Sequence, residues 1–198
     1  MSDRKSTDAT KRLILDRGVA LFLKNGYHGT GLNDVLGAAN VPKGSFYYYF
    51  ASKEDFGVQA VEHYLAPFIK QLTQHLATPE RDGLAAIENY FRALIEDLEA
   101  GDFTGGCLLG NLMGEIGDTS EAARAALKKA VDRYCDLLET GLARAQREGV
   151  ARTDRSARTM ADILTNAWQG ALLRMKIERS SAPLYAFLGE ILLGYCKR

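Results

Sequence analysis

The chain has 198 residues, 46% of them hydrophobic, and its 25 Lys and Arg are balanced by 25 Asp and Glu. That length and apolar share are enough for a folded core, as one domain or as a small module joined to a larger one. No apolar run approaches a membrane span and MSDRKSTDATKR has no signal-like hydrophobic segment, so the expected location is cytoplasmic, with no membrane partner. Cys107, Cys135 and Cys196 form no CxxC pair, and His28, His63 and His75 all lie in the first 75 residues. Neither a disulfide framework nor a metal or cofactor centre is implied. Residues 1–55 hold eight Lys/Arg against six Asp/Glu, and the remainder 17 against 19, a weak electrostatic footprint for a nucleic-acid binder.

In chain order, nearly every segment reads as helix, because apolar residues recur at spacings of three and four and period-two β-branched runs are absent. Residues 7–25 place Leu13, Ala20 and Leu21, with Ile14 and Phe22, on a broad apolar face that stops at Asn25-Gly26. Short helices follow over about 31–38 and 42–49, the second opening on Pro42. Ser52 is the expected cap of a long helix to about Leu76, with Glu54 and Asp55 in its first turn and Pro67 predicting a kink. Beyond Thr78-Pro79 a helix runs over about 81–99. GDFTGG leads to a short one at about 107–116, and Ser120 caps a long one ending at Gly149. Two more cover about 154–179 and 183–196. The expected fold is all-α with about nine helices: a three-helix head over 1–55 and a larger helical body over 56–198.

The head carries the chemistry. In TGLNDVLGAANVPKGSFYYYF (30–50), Leu32, Val35, Leu36, Ala39 and Val41 can seal the underside of two crossing helices, and Ala38-Ala39-Asn40 permits the turn between them. Gly44 allows close backbone approach, Ser45 offers a hydroxyl and Lys43 a charge to a duplex. Phe46 and Phe50 share a core face, leaving Tyr47, Tyr48 and Tyr49 to present hydroxyls or, alternatively, to pack a small core. The pattern Thr30…Val35…Ala38-Ala39-x-Val41-x-x-Gly44-x-Phe46-Tyr47-x-Tyr49-Phe50-x-x-Lys53-x-x-Phe56 resembles the N-terminal signature of TetR-family regulators. The resemblance implies a helix-turn-helix whose third helix reads the major groove of double-stranded DNA. Ser45, Tyr47, Tyr48 and Tyr49 then touch bases or phosphates, Lys53 contacts the backbone, and Thr30 and Asn33 contact DNA from the second helix. It also implies a homodimer on a palindromic operator, since one short helix reads too little sequence.

The body is then expected to supply dimerisation and a ligand switch. Its last two helices carry the stripes Ile163, Ala167, Gly170, Ala171, Leu172 and Leu184, Phe187, Leu188, Ile191, Leu192, which the family pairs as a four-helix bundle and which could equally serve an internal core. Cys107 follows Gly105-Gly106 at a helix N-terminus, where the dipole favours a thiolate, although a small buried hydrophobe fits the same position. Lys176, after Trp168 on the same helix, is a candidate cation or a snorkelling stem. GGCLLGNLMGEI and WQGALLRMKIERSSAPL resemble a narrower branch, the N-ethylmaleimide- and acrylate-responsive repressors. That likeness implies an electrophile- or oxidant-sensing role for Cys107, assisted by Lys176. Phe103, Met113, Trp168 and Met175 are candidate pocket walls or plain core, and Cys135 and Cys196 are expected to pack inside helices.

The expected function is a regulator, most simply a repressor, that leaves its operator when a small-molecule inducer acts at the body. An electrophile, oxidant or unsaturated acid at Cys107 would shift the adjoining helices and the spacing of two heads, which DNA geometry fixes. Three other readings stay open. One is a repressor released by a non-covalent apolar effector, with Cys107 structural. A second is a helical interaction module without DNA binding. The most distant is a thiol enzyme, which lacks a histidine base downstream of His75 and any phosphate loop, so that no catalytic residue is assigned.

Overall fold

Helical periodicity carries almost the whole chain, as expected. A computed structural model describes residues 2–198, with side chains from residue 8 onward. The helices are α1 (Ser2–Asn25), α2 (Leu32–Ala39), α3 (Lys43–Tyr49), α4 (Lys53–Leu76), α5 (Gly83–Ala100), α6 (Leu108–Ile116), α7 (Glu121–Arg147), α8 (Ala157–Glu178) and α9 (Ala182–Ala186). The last continues as a wider π-helical stretch, Phe187–Leu193, and a final turn, Gly194–Cys196. Among the described residues the only extended pairing noted is a bridge between Ala151 and Lys197.

The starts of several helices rest on local side chains. Ser52 Oγ accepts the Asp55 N–H at 3.0 Å, and Ser120 Oγ the Ala123 N–H at 3.0 Å, each satisfying a donor that the first turn leaves open. Asp82 and Ser156 do the same for α5 and α8. Pro67 lies within α4 without ending it.

Packing divides the chain into two units. One comprises the chain up to Ala66 together with Cys107–Ala130; the other comprises Pro67–Gly106 and Val131–Arg198. α4 and α7 run through both, and the third passage is the peptide between Gly106 and Cys107. Thus α6 packs with the three-helix head.

In the first unit Phe22, Phe46, Phe50 and Phe56 form the core, all at most 1% exposed, with ring centroids 4.9 Å apart for Phe50–Phe56 and 5.6 Å for Phe22–Phe56. Gly18 is buried because the Phe56 ring occupies the space a Cβ would need. This corrects the expected face of α1. Ile14, Leu15, Gly18 and Phe22 turn inward, while Leu13 is 39% exposed, Ala20 lies on the surface and Leu21 is half-buried. An apolar stripe read from spacing leaves its rotation about the helix axis undetermined, and the Phe cluster set it here.

The second unit is built around a triangle of Phe91, Trp168 and Phe187, with centroids 4.8 to 5.1 Å apart. Gly83 lets α5 cross α7 closely, since a Cβ there would collide with the Gly141 carbonyl. Beside it Glu148 accepts the Gly83 N–H and the Arg144 guanidinium, each at 2.7 Å, and both donors hold its carboxyl below the usual range. Cys135 lies 3.2 Å from the Thr165 hydroxyl, and Cys196 is fully buried with its thiol pushed up to about 11 by burial. Both are core residues, as their helical context suggested.

Candidate functional site

The α2–α3 corner is made by Asn40, which adopts φ 52° and lets Val41 N–H close back on the Leu36 carbonyl at 3.1 Å. Asparagine tolerates this left-handed turn better than most residues. Val35, Leu36 and Ala39 are buried beneath it, with Leu32 and Val41 half-buried. Pro42 precedes α3, where its missing N–H is harmless. With Phe46 at 0% and Phe50 at 1% exposure pinned inward, the opposite side of α3 has to face solvent. It presents Lys43, Gly44, Tyr47 at 55% and Tyr48 at 73% exposure, with Ser45 and Tyr49 half-buried at its margins. Asn33 is exposed on α2. No Cβ contact exists within 4 Å at Gly44, so the helix surface there is open to a large partner. An exposed short helix of hydroxyls, one lysine and a bare glycine is suited to entering a major groove.

Two expected DNA contacts sit differently. Thr30 is 0% exposed and its hydroxyl donates to the Gly26 carbonyl at 2.7 Å, so it braces the turn between α1 and α2 instead of reaching outward. A β-branched hydroxyl residue just before a helix is as good a turn brace as a surface contact. Lys53 donates to the Tyr27 carbonyl at 2.7 Å with its ammonium 4.4 Å from the Tyr27 ring centre. Partial burial pulls its pKa below the usual lysine range, against the opposing pull of Glu115 and Asp34.

Sequence reading also missed a partner of that turn. The loop 26–30 is met by Glu115 of α6, which accepts the His28 N–H at 3.1 Å. The available signal was modest: Glu115 is the one charge in LLGNLMGEI. Two further ties join this stretch to α4, Ser120 hydroxyl to the Glu54 carboxylate and Lys129 to Glu62 at 3.4 Å.

At the other end of α6, Cys107 occupies the capping position and is half-buried. The approach to it is unusual backbone: Asp102, Phe103, Gly105 and Gly106 have φ of 53°, 56°, 81° and 70°. The first two are non-glycine residues in a region that costs about 1 kcal/mol or more each. The stem of Lys176 runs past Gly106, its Cδ lying 3.7 Å from where a Cβ would be. Phe103 is half-buried. Trp168 and Met175 are core, at 5% and 0% exposure, whereas Met113 is 38% exposed on α6. Spacing could not tell these apart, because Met and aromatic residues serve equally on either side of a helix.

The fold and the open face of α3 define a helix-turn-helix DNA-binding transcriptional regulator. Residues 14–57 match the model of the tetR family of bacterial regulatory proteins, and residues 83–190 match the tetracyclin repressor-like C-terminal domain. The chain is 35% identical to the transcriptional repressor DhaR of a Mycobacterium species over 88% of its own length and 86% of that protein. It is 34% identical to the repressor NemR of Escherichia coli over 92% of each. The crystal structure of reduced E. coli NemR superposes with a TM-score of 0.84 at 32% identity, covering 95% of this chain and 97% of the other. A TetR regulatory protein from Rhodobacter sphaeroides gives 0.85 at 32% identity, covering 91% and 95%. The chain belongs to the TetR family.

No described helix is long and apolar enough to cross a membrane.

Proposed function

We propose that this regulator is a homodimeric repressor that holds a palindromic operator and leaves it when a small electrophile or oxidant acts at Cys107. The observation that carries this reading is the placement of a thiol at the start of α6, the helix whose far end meets the turn before α2. Asn33, Lys43, Gly44, Ser45, Tyr47, Tyr48 and Tyr49 are the DNA-contacting set, with Lys53 reaching a phosphate if it leaves Tyr27. Lys176, its stem beside Gly106, is the cation proposed to assist the thiol. The likeness to proteins described as repressors, NemR and DhaR, supports the direction of control.

Dimerisation is assigned to α8 and the C-terminal helix. A groove of about 250 Å³ between them is lined by Ala167, Ala171, Pro183, Ala186, Phe187 and Ile191, with the charged Arg174 and Glu190 also on its walls. Gly170 shares that helix face and has nothing within 4 Å of a Cβ position, leaving room for a closely approaching helix. Leu172, Leu184, Leu188 and Leu192 of the same stripes are buried within the chain, so the two stripes divide between core and surface.

The test is alkylation with N-ethylmaleimide followed by mass spectrometry, run beside operator release by wild type and Cys107→Ser. The expected outcome is one adduct on Cys107 and release of wild type only. Release of the serine variant at the same dose would overturn the role of Cys107 as the sensing thiol.

A further inference from the structure

The turn Gly26–Thr30 joins α1 to α2 and so sets the angle at which the helix-turn-helix leaves the rest of the head. Three groups hold it. The Thr30 hydroxyl closes it from within, on the Gly26 carbonyl at 2.7 Å, and Lys53 of α4 grips the Tyr27 carbonyl at 2.7 Å. The third is Glu115 of α6. Its carboxylate accepts the His28 N–H at 3.1 Å, and its backbone carbonyl lies 3.2 Å from His28 Nε2. Gly26, at φ +76°, makes room for that carboxylate: a Cβ there would sit 2.7 and 2.8 Å from its two oxygens. The residues lie 87 positions apart, yet the loop backbone and the acid are shaped to each other at both ends of the pair.

We propose that Glu115 is a positioning residue for operator recognition: α6 clasps the Gly26–Thr30 turn through it and holds α2 and α3 at the angle DNA requires. Glu115 itself touches no DNA in this reading. The proposal stands whether or not Cys107 is a sensor. Because Cys107 caps the same nine-residue helix, Glu115 also supplies a direct route by which any displacement of α6 reaches the head.

Electrostatics makes the idea testable by sign. A carboxylate close to a DNA-binding face repels phosphate, so deleting it tends by charge alone to tighten binding. Deleting a clasp weakens binding. Glu115→Ala removes both charge and acceptor, whereas Glu115→Gln removes the charge and keeps an oxygen for the His28 N–H. The experiment measures affinity of the full-length variants for an operator duplex selected from randomised DNA with the wild-type protein, across a range of salt, beside melting curves. Glu115→Ala is expected to bind about tenfold more weakly, the scale of one hydrogen bond to a charged group. Glu115→Gln is expected to bind at least as tightly as wild type. In both, the slope of log affinity against log salt stays at the wild-type value, because no phosphate contact has been lost.

Alanine binding as tightly as wild type overturns the proposal, as does glutamine falling as far as alanine. A flattened salt slope in Glu115→Ala overturns it too, by showing a lost phosphate contact. Should Glu115→Ala not fold, His28→Ala carries the test, since it deletes only the imidazole side of the clasp. A loss of about threefold is then expected, and no loss counts against the idea.

Discussion

Tyr48 and Thr30 illustrate how little residue type alone decides. Both carry a hydroxyl and both stand in the recognition motif, yet Tyr48 is 73% exposed and Thr30 is 0% exposed. Their variants should therefore separate. Tyr48→Phe keeps the ring and loses only the outward hydroxyl, so operator affinity should fall several-fold while the melting temperature stays put. Thr30→Val keeps the shape and orphans the Gly26 carbonyl, which should cost about 1–2 kcal/mol of stability in chemical denaturation. A Thr30→Val protein that melts like wild type but binds DNA poorly would restore this residue to the contact surface. The placement of Lys53 follows the same logic, because its stem is long enough to bend inward to Tyr27 and its ammonium finds both a carbonyl and a ring there.

Among the elements, α4 shows competing terms most clearly. His75 lies in its last turn, where the helix dipole favours an imidazolium. Burial acts the other way and dominates, with the Arg81 charge adding to it, so the His75 pKa lies below its usual value of 6.5. Protonation is thus harder in the folded chain than in the unfolded one. Above pH 6.5 both states are neutral and the group contributes nothing. As pH falls through 6.5 and then through the lower folded value, the unfolded state takes up the proton first and stability is lost. Denaturant midpoints measured from about pH 7.5 down to 5 should decline for wild type, and the decline should be shallower in His75→Gln. Equal slopes would remove His75 from the account. The ends of α4 and α7 were legible beforehand because Ser52 and Ser120 act on backbone groups three residues away. The rotation of α1 was not, since several apolar faces satisfied the same periodicity.

At the scale of the whole molecule, DNA recognition by so neutral a chain places weight on geometry. With 25 basic and 25 acidic residues overall, bulk charge contributes little affinity, which is the reason the proposed function has two heads at a fixed separation share the task. Gly170→Arg tests the proposed dimer face with little harm to the monomer, because nothing stands within 4 Å of the new Cβ and arginine favours a helix over glycine. Sedimentation should shift from dimer to monomer and operator binding should fall at least tenfold, while the unfolding midpoint of the isolated chain does not drop. A variant that remains dimeric would move the interface elsewhere.

What the sequence determined by itself was the class of molecule. Helical periodicity, side-chain caps and a contiguous recognition motif are local properties, written within a few turns of chain, and they are readable without knowing what packs on what. The tertiary structure decided which polar groups look outward and which brace the head. It turned Thr30 inward, bent Lys53 to Tyr27 and carried Glu115 across 87 residues to His28. Such pairings depend on crossing angles and on the rotation of each apolar face, which only the completed core selects.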